Sequence, residues 1–311
     1  MHQKRNPAIL IVSASLLCAF VSCGPGVSSS HGAWTVTLSV DEPGRLAAHE
    51  PVLLLIRVRN GTGRPVSLDP VSIDHSTFEV ELERPSGTRS TLREGMGGRF
   101  GCRGGFEVAA GETVTTYEML LPEEPGVWTI RARATLKAQE LQRRAWIVTL
   151  PDLRFTVAPG AAGVEETAPE GWLERFLLGR EAFLDPEVDG QRLTQLGAAA
   201  SPRLRRFVML AQAMTTVMSH RYSYTPEDEQ ARRVLEADAE LHPCRPLGDV
   251  ALLGLARIYA DLLPWSDRGS PPGYPERELR RVSERLHRGF PQSAVTLGEL
   301  GIYESRLPSA P

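Results

Sequence analysis

Apolar and polar positions along this chain follow two different rhythms, and the change between them divides it. From Trp34 to about Val157 the chain reads as short extended runs: WTVTLSV (34–40) and FEVELERP (78–85) alternate apolar and polar positions, VLLLIRVRN (52–60) is β-rich, and TVTTYEMLL (113–121), VWTIRARATL (127–136), AWIVTL and LRFTV (145–157) follow. Gly, Pro and Asp punctuate these runs and no helix-length segment separates them, so the pattern predicts an antiparallel β-sandwich over 34–158. From residue 170 the period becomes helical, predicting helices at 170–185, 202–218, 226–241, 249–263, 275–290 and 293–307. The small, Pro/Gly-bearing stretch 159–169 reads as a linker. The expected fold class is therefore multi-domain, all-β followed by all-α over 170–311.

The helices are expected to come in pairs. Thr225-Pro226-Glu227-Asp228 places a cap, a first-turn proline and acidic residues at one helix start. One pair ends at Leu241-His242-Pro243 and the next at Gly289-Phe290-Pro291, and an apolar helix follows each proline. Such recurrence is the signature of stacked helical hairpins, each burying a face on its neighbour.

The N-terminus has a third pattern. Lys4 and Arg5 precede an almost wholly apolar run from Ala8 to Val21, the layout of a secretory signal peptide and too short for a permanent span. Cys18 lies inside this run behind Leu16 and Leu17, whereas Cys23 lies at its end, ahead of Gly24-Pro25-Gly26. Phe20-Val21-Ser22-Cys23 resembles the bacterial lipoprotein signal, departing from it at Phe20. That resemblance implies cleavage after residue 22, lipid attachment at Cys23, and an exported protein held in the cell envelope by its lipid. An ordinary secretory signal cleaved nearby is the alternative. Residues 23–33 would then form a flexible tether.

Cys102 and Cys244 remain as an even pair in an oxidising compartment, either joined across the two halves or buried as free thiols. With 311 residues and 41% hydrophobic content the chain can fill two cores. A formal charge of −3 gives no basic excess for a phosphate backbone, so nucleic acid is not an expected partner.

Two further resemblances concern the domains. Gly111-Glu112 leading into a strand, followed by Pro125-Gly126-Val127-Trp128-Thr129-Ile130, resembles the immunoglobulin-like domains of bacterial secreted and surface proteins. Ile130 stands where such domains often carry cysteine, which implies a hydrophobic core pair in place of an inter-sheet disulfide. In the helical part, Leu279, Leu286 and Pro291 with Leu297, Leu300 and Gly301, preceded by Ala256 and Tyr259, resemble degenerate tetratricopeptide repeats. The spacing from Pro243 to Pro291 is 48 residues (291 − 243), longer than the ~34 of that family.

Candidate chemistry is sparse. No Gly-x-Ser-x-Gly, His-Glu-x-x-His or Cys-x-x-Cys occurs, and the histidines are scattered, so no catalytic, metal or cofactor site is expected. The glycine-rich stretch REGMGGRFGCRGGFE (93–107) reads as a surface loop or an anion-binding loop. Arg221, Tyr222 and Tyr224, in HRYSYTP, are residue types that serve either recognition or helix packing. Under the repeat resemblance, Arg257, Asp261, Ile302 and Arg306 would face a concave groove and contact a partner. The function expected is a non-enzymatic, membrane-anchored scaffold binding another envelope protein or a peptide. The alternatives are a proteinase-inhibitor-like protein, since one family of bacterial inhibitors is built on this kind of domain, and a hydrolase with dispersed carboxylates.

Overall fold

The computed structural model describes residues 26–73, 75–92, 105–139, 145–160, 201–218, 226–243, 245–265 and 274–308. The first sheet has the order β1-β2-β3-β8, formed by Gly26–His31, Trp34–Val40, Val52–Asn60 and Thr113–Leu120. The second has the order β10-β9-β5-β6, from Ala145–Thr149, Gly126–Lys137, Phe78–Glu83 and Arg89–Leu92. β11 (Leu153–Val157) also pairs with β9, so β10 and β11 lie end to end along one edge of that long strand. β4 (Val66–Leu68) and β7 (Phe106–Val108) form a separate pair. All strand pairings are antiparallel, as the alternating pattern predicts.

Register decides what each face buries. Trp34, Val36, Leu38 and Val40 of β2 with Val52, Leu54, Ile56 and Val58 of β3 meet Phe78, Val80, Trp128 and Ile130 of the second sheet in one core. The opposite face of the second sheet carries Glu79, Glu81, Glu83, Arg131 and Arg133, paired across strands and facing water. The opposite face of the first sheet is different. Leu53 and Leu55 of β3 and Tyr117 and Met119 of β8 belong to a second core, built with the helices. The chain therefore stacks two sheets and a helical layer, with residues 52–56 of β3 and 116–120 of β8 buried on both faces.

The helices are α1 (Pro202–Met218), α2 (Pro226–Leu241), α3 (Gly248–Leu262), α4 (Tyr274–Gly289), α5 (Ala294–Gly298) and α6 (Leu300–Glu304). Ser201 starts α1, its hydroxyl accepting from the Leu204 amide at 3.1 Å, and Pro202 fills the first turn. α3 is central, with every residue from Gly248 to Ala256 buried. Its sequence is apolar on all sides, which suits a helix enclosed by neighbours rather than one lining a groove. Gly248 is needed at its start, because a Cβ there would lie 2.5 Å from the His242 carbonyl oxygen and 2.9 Å from the Phe290 ring.

Several elements differ from the sequence reading. β4, β6 and β7 form where no strand was expected, and β7 takes in Phe106 and Glu107 from the end of the stretch 93–107 read as a loop, because Phe106 is buried in the sheet core. Residues 26–31, expected within a flexible tether, form β1, with Gly26 to His31 pairing with Ser39 to Trp34. Serine alternation on an edge strand gives too little apolar signal to reveal this. The single helix expected over 293–307 is two short ones, broken at Glu299. Ala294 reaches into the sheet core while Val295 and Leu300 join the helical core, so the first turn bridges the two cores and the second packs on the helices. The helix expected at 170–185, most of the loop 93–107 and most of the linker 159–169 lie outside the described residues. No described helix is long and apolar enough to cross a membrane.

Candidate functional site

Cys23, Cys102, Cys244, Arg221, Tyr222 and Tyr224 lie outside the described residues. Of the remaining sequence candidates, Arg257, Asp261 and Arg306 come together at one place. The Arg306 guanidinium donates to Asp261 Oδ1 at 2.6 Å, joining α3 to the residues after α6 across 45 positions. Arg257 Nε lies 3.9 Å from Asp261 Oδ2, one helical turn back. Arg306 also stacks over Tyr303, 5.7 Å from the ring centroid. Ile302, on the same short helix, is 57% exposed, against 19% for the Arg257 side chain. Burial holds the Tyr303 phenol above its ordinary range, so its hydroxyl remains a neutral donor or acceptor at neutral pH.

This surface differs from the expected groove. α3 is covered along its first two turns, and only its C-terminal end reaches the outside. What remains is a compact patch: one exposed aliphatic side chain, one tyrosine, and two arginines sharing a carboxylate. Tyr303 was not among the residues picked from sequence, although its position beside Ile302 in GIYESR was a usable signal.

A second cluster, at the junction of sheet and helices, was not legible. Asp249, fully buried in the first turn of α3, accepts from the Ser293 hydroxyl and from the Tyr117 hydroxyl of β8. The Ser293 oxygen also accepts from the Val295 amide at 3.1 Å, capping α5. Beside it, the Thr115 amide donates to the Gln292 carbonyl at 2.7 Å. Burial raises the Asp249 carboxyl above its ordinary value, and the bonds from Ser293, Val250 and Tyr117 oppose that rise. Being closed to solvent, this cluster ties sheet to helices and has no access for a substrate.

A third cluster lies at the end of the sheet nearest the start of β1. Glu42 adopts a left-handed conformation (φ 47), unusual outside glycine. Its carboxylate accepts from Arg203 at 3.1 Å and Arg245 at 2.8 Å, and Arg203 Nε donates to the Pro51 carbonyl at 3.1 Å. The helices are joined to one another by similar pairs: Arg206 grips Asp238 with two bonds of 2.7 and 3.0 Å. Among the described residues, no group of three His, Cys, Asp or Glu side chains could hold a metal ion.

No family model matches this chain, and no curated protein matches it. Solved structures do align with it. The ApaA protein of Bordetella pertussis shares 14% identity over 41% of this chain and 98% of its own, with a TM-score of 0.30. Native alpha-2-macroglobulin of Escherichia coli, seen by cryo-electron microscopy, shares 13% identity over 88% of this chain, with a TM-score of 0.24. A crystal structure of the same protein from its MG7 domain to the C-terminus shares 16% identity over 83% of this chain, with a TM-score of 0.25. This chain spans 22% and 42% of the length of those two alpha-2-macroglobulin chains. Its structural neighbours thus include bacterial alpha-2-macroglobulin and ApaA.

Proposed function

We propose that this chain is an exported envelope lipoprotein, anchored through lipid on Cys23, that binds another envelope protein or a peptide and performs no catalysis itself. In this reading the two sheets are an immunoglobulin-like sandwich and the helices are degenerate tetratricopeptide-like pairs, both serving as scaffold. The observation that carries it is the patch at the end of α3. Arg257, Asp261 and Arg306 converge there beside Tyr303 and the exposed Ile302. Tyrosine and arginine are the residue types that dominate binding energy when a partner covers them. An extended segment offering one apolar side chain next to a carboxylate suits this surface: Ile302 receives the first, and the arginines the second.

The test is capture of tagged full-length protein from its own solubilised envelope, with wild type compared against the Arg257→Ala/Arg306→Ala double variant. A stoichiometric partner lost in the variant supports the reading. A partner retained unchanged places the interaction elsewhere, and a captured protease favours the inhibitor alternative.

A further inference from the structure

We infer that lipid on Cys23 would hold the Asp41–Pro51 end of the first sheet against the bilayer surface, giving the protein a set orientation. This deepens the anchored reading above and rests on it. β1 begins at Gly26, three residues after Cys23. Three residues span at most about 11 Å of extended chain, whereas eleven, from Cys23 to Trp34, would span about 36 Å or more. Folding of β1 onto β2 thus removes most of the freedom a tether over 23–33 would have had. Lipid on Cys23 would therefore lie no more than about 11 Å of chain from Gly26.

The register says which end this is. Gly26 pairs with Ser39, which lies level with Leu55 and Tyr117 on the next strands. β1 runs antiparallel to β2, so continuing upstream from Gly26 leads toward Val40, Asp41 and Glu42. β1 is also the outer strand of its sheet, with no further strand hydrogen-bonded beyond it among the described residues. The turn Pro43–Arg45, with Gly44 and Arg45 exposed, and the pair Arg203 and Arg245 on Glu42 make up this end. Arg45, Arg203 and Arg245 balance Asp41, Glu42 and Glu50 in formal charge, so anionic headgroups are not repelled. The other end of the sheet carries Asn60 opposite Trp34, followed by the turn that contains the exposed Arg64. Six residue steps along β3, from Leu54 to Asn60, separate the two levels by about 20 Å.

The experiment uses full-length lipidated protein in vesicles of phosphatidylethanolamine and phosphatidylglycerol containing nitroxide-headgroup lipid. An azide-bearing amino acid placed at Arg45 or at Arg64 carries a clicked dye. The inference predicts that the dye at 45 loses most of its emission while the dye at 64 keeps it. A Gly/Ser insertion of a dozen residues between Gly24 and Pro25 should abolish that difference. Equal emission at both sites, with lipid on Cys23 shown by mass spectrometry, overturns the orientation and leaves the anchor standing. Protein that carries no lipid on Cys23 and does not bind vesicles overturns both.

Discussion

Leu55→Ala tests whether the helices rest on the sheet. Leu55 is 3% exposed, and its side chain leaves β3 on the face opposite Leu54 and Ile56, joining Tyr117, Met119 and the helical core. Deleting a buried leucine side chain to alanine costs about 3 kcal/mol, combining lost transfer energy with the cavity left behind. For a chain of this size each kcal/mol lowers Tm by about 2–4 °C, so a fall of about 6–12 °C is expected. Because β3 lies between both cores, the sheet and helical signals should fall together. Thermal unfolding followed by far-UV and near-UV circular dichroism reads both. Were the helical half a separate domain on a linker, Leu55 would sit on a solvated face and the change would stay within about 0.5 kcal/mol. A Tm shift below about 2 °C would therefore refute the three-layer packing.

Asp249→Asn should change how stability depends on pH. The folded-state carboxyl is raised, so the folded chain holds its proton more tightly than the unfolded chain, and stability falls as pH rises from about 4 through the folded value. Urea midpoints between pH 4 and 7 should decline less steeply in the variant, and identical slopes would contradict this assignment. Asp238→Ala removes the bidentate partner of the largely covered Arg206 and should destabilise by about 3 kcal/mol, read from urea unfolding at constant m. Gly248→Ala forces contacts with the His242 carbonyl and Phe290 and should cost about 1–3 kcal/mol. A neutral effect in the same assay would mean that the turn can shift to accept a methyl group.

Much of this architecture was written in local pattern. Alternation in FEVELE and helical periodicity in RELRRVSERL are repeated over enough residues that neighbours cannot override them. The contact between the halves was encoded too, but less plainly. VLLLI is apolar on both faces, the signature of a strand covered twice, while the outward Thr35, Thr37 and Ser39 of β2 remain polar. An alternating strand and a doubly buried one overlap in composition, which hides the difference from a scan for two separate domains. β1 was missed because a serine-rich edge strand owes its order to the ladder it joins rather than to its own side chains. The Asp249, Ser293 and Tyr117 cluster joins residues far apart in sequence, and no spacing rule connects them. The ion pairs at Asp261 were partly legible: the repeat resemblance selected Arg257, Asp261 and Arg306, which the structure brings together, although α3 is enclosed by its neighbours along its first two turns.

The central claim is that this protein works from a membrane through its N-terminal cysteine, and intact-mass analysis of the N-terminal peptide from envelope-expressed protein tests it most directly. The account predicts a mature chain beginning at Cys23 and carrying the added mass of an acylglyceryl group, with the protein pelleting with membranes. A chain beginning at another residue, with no lipid and recovered in the soluble fraction, would contradict it.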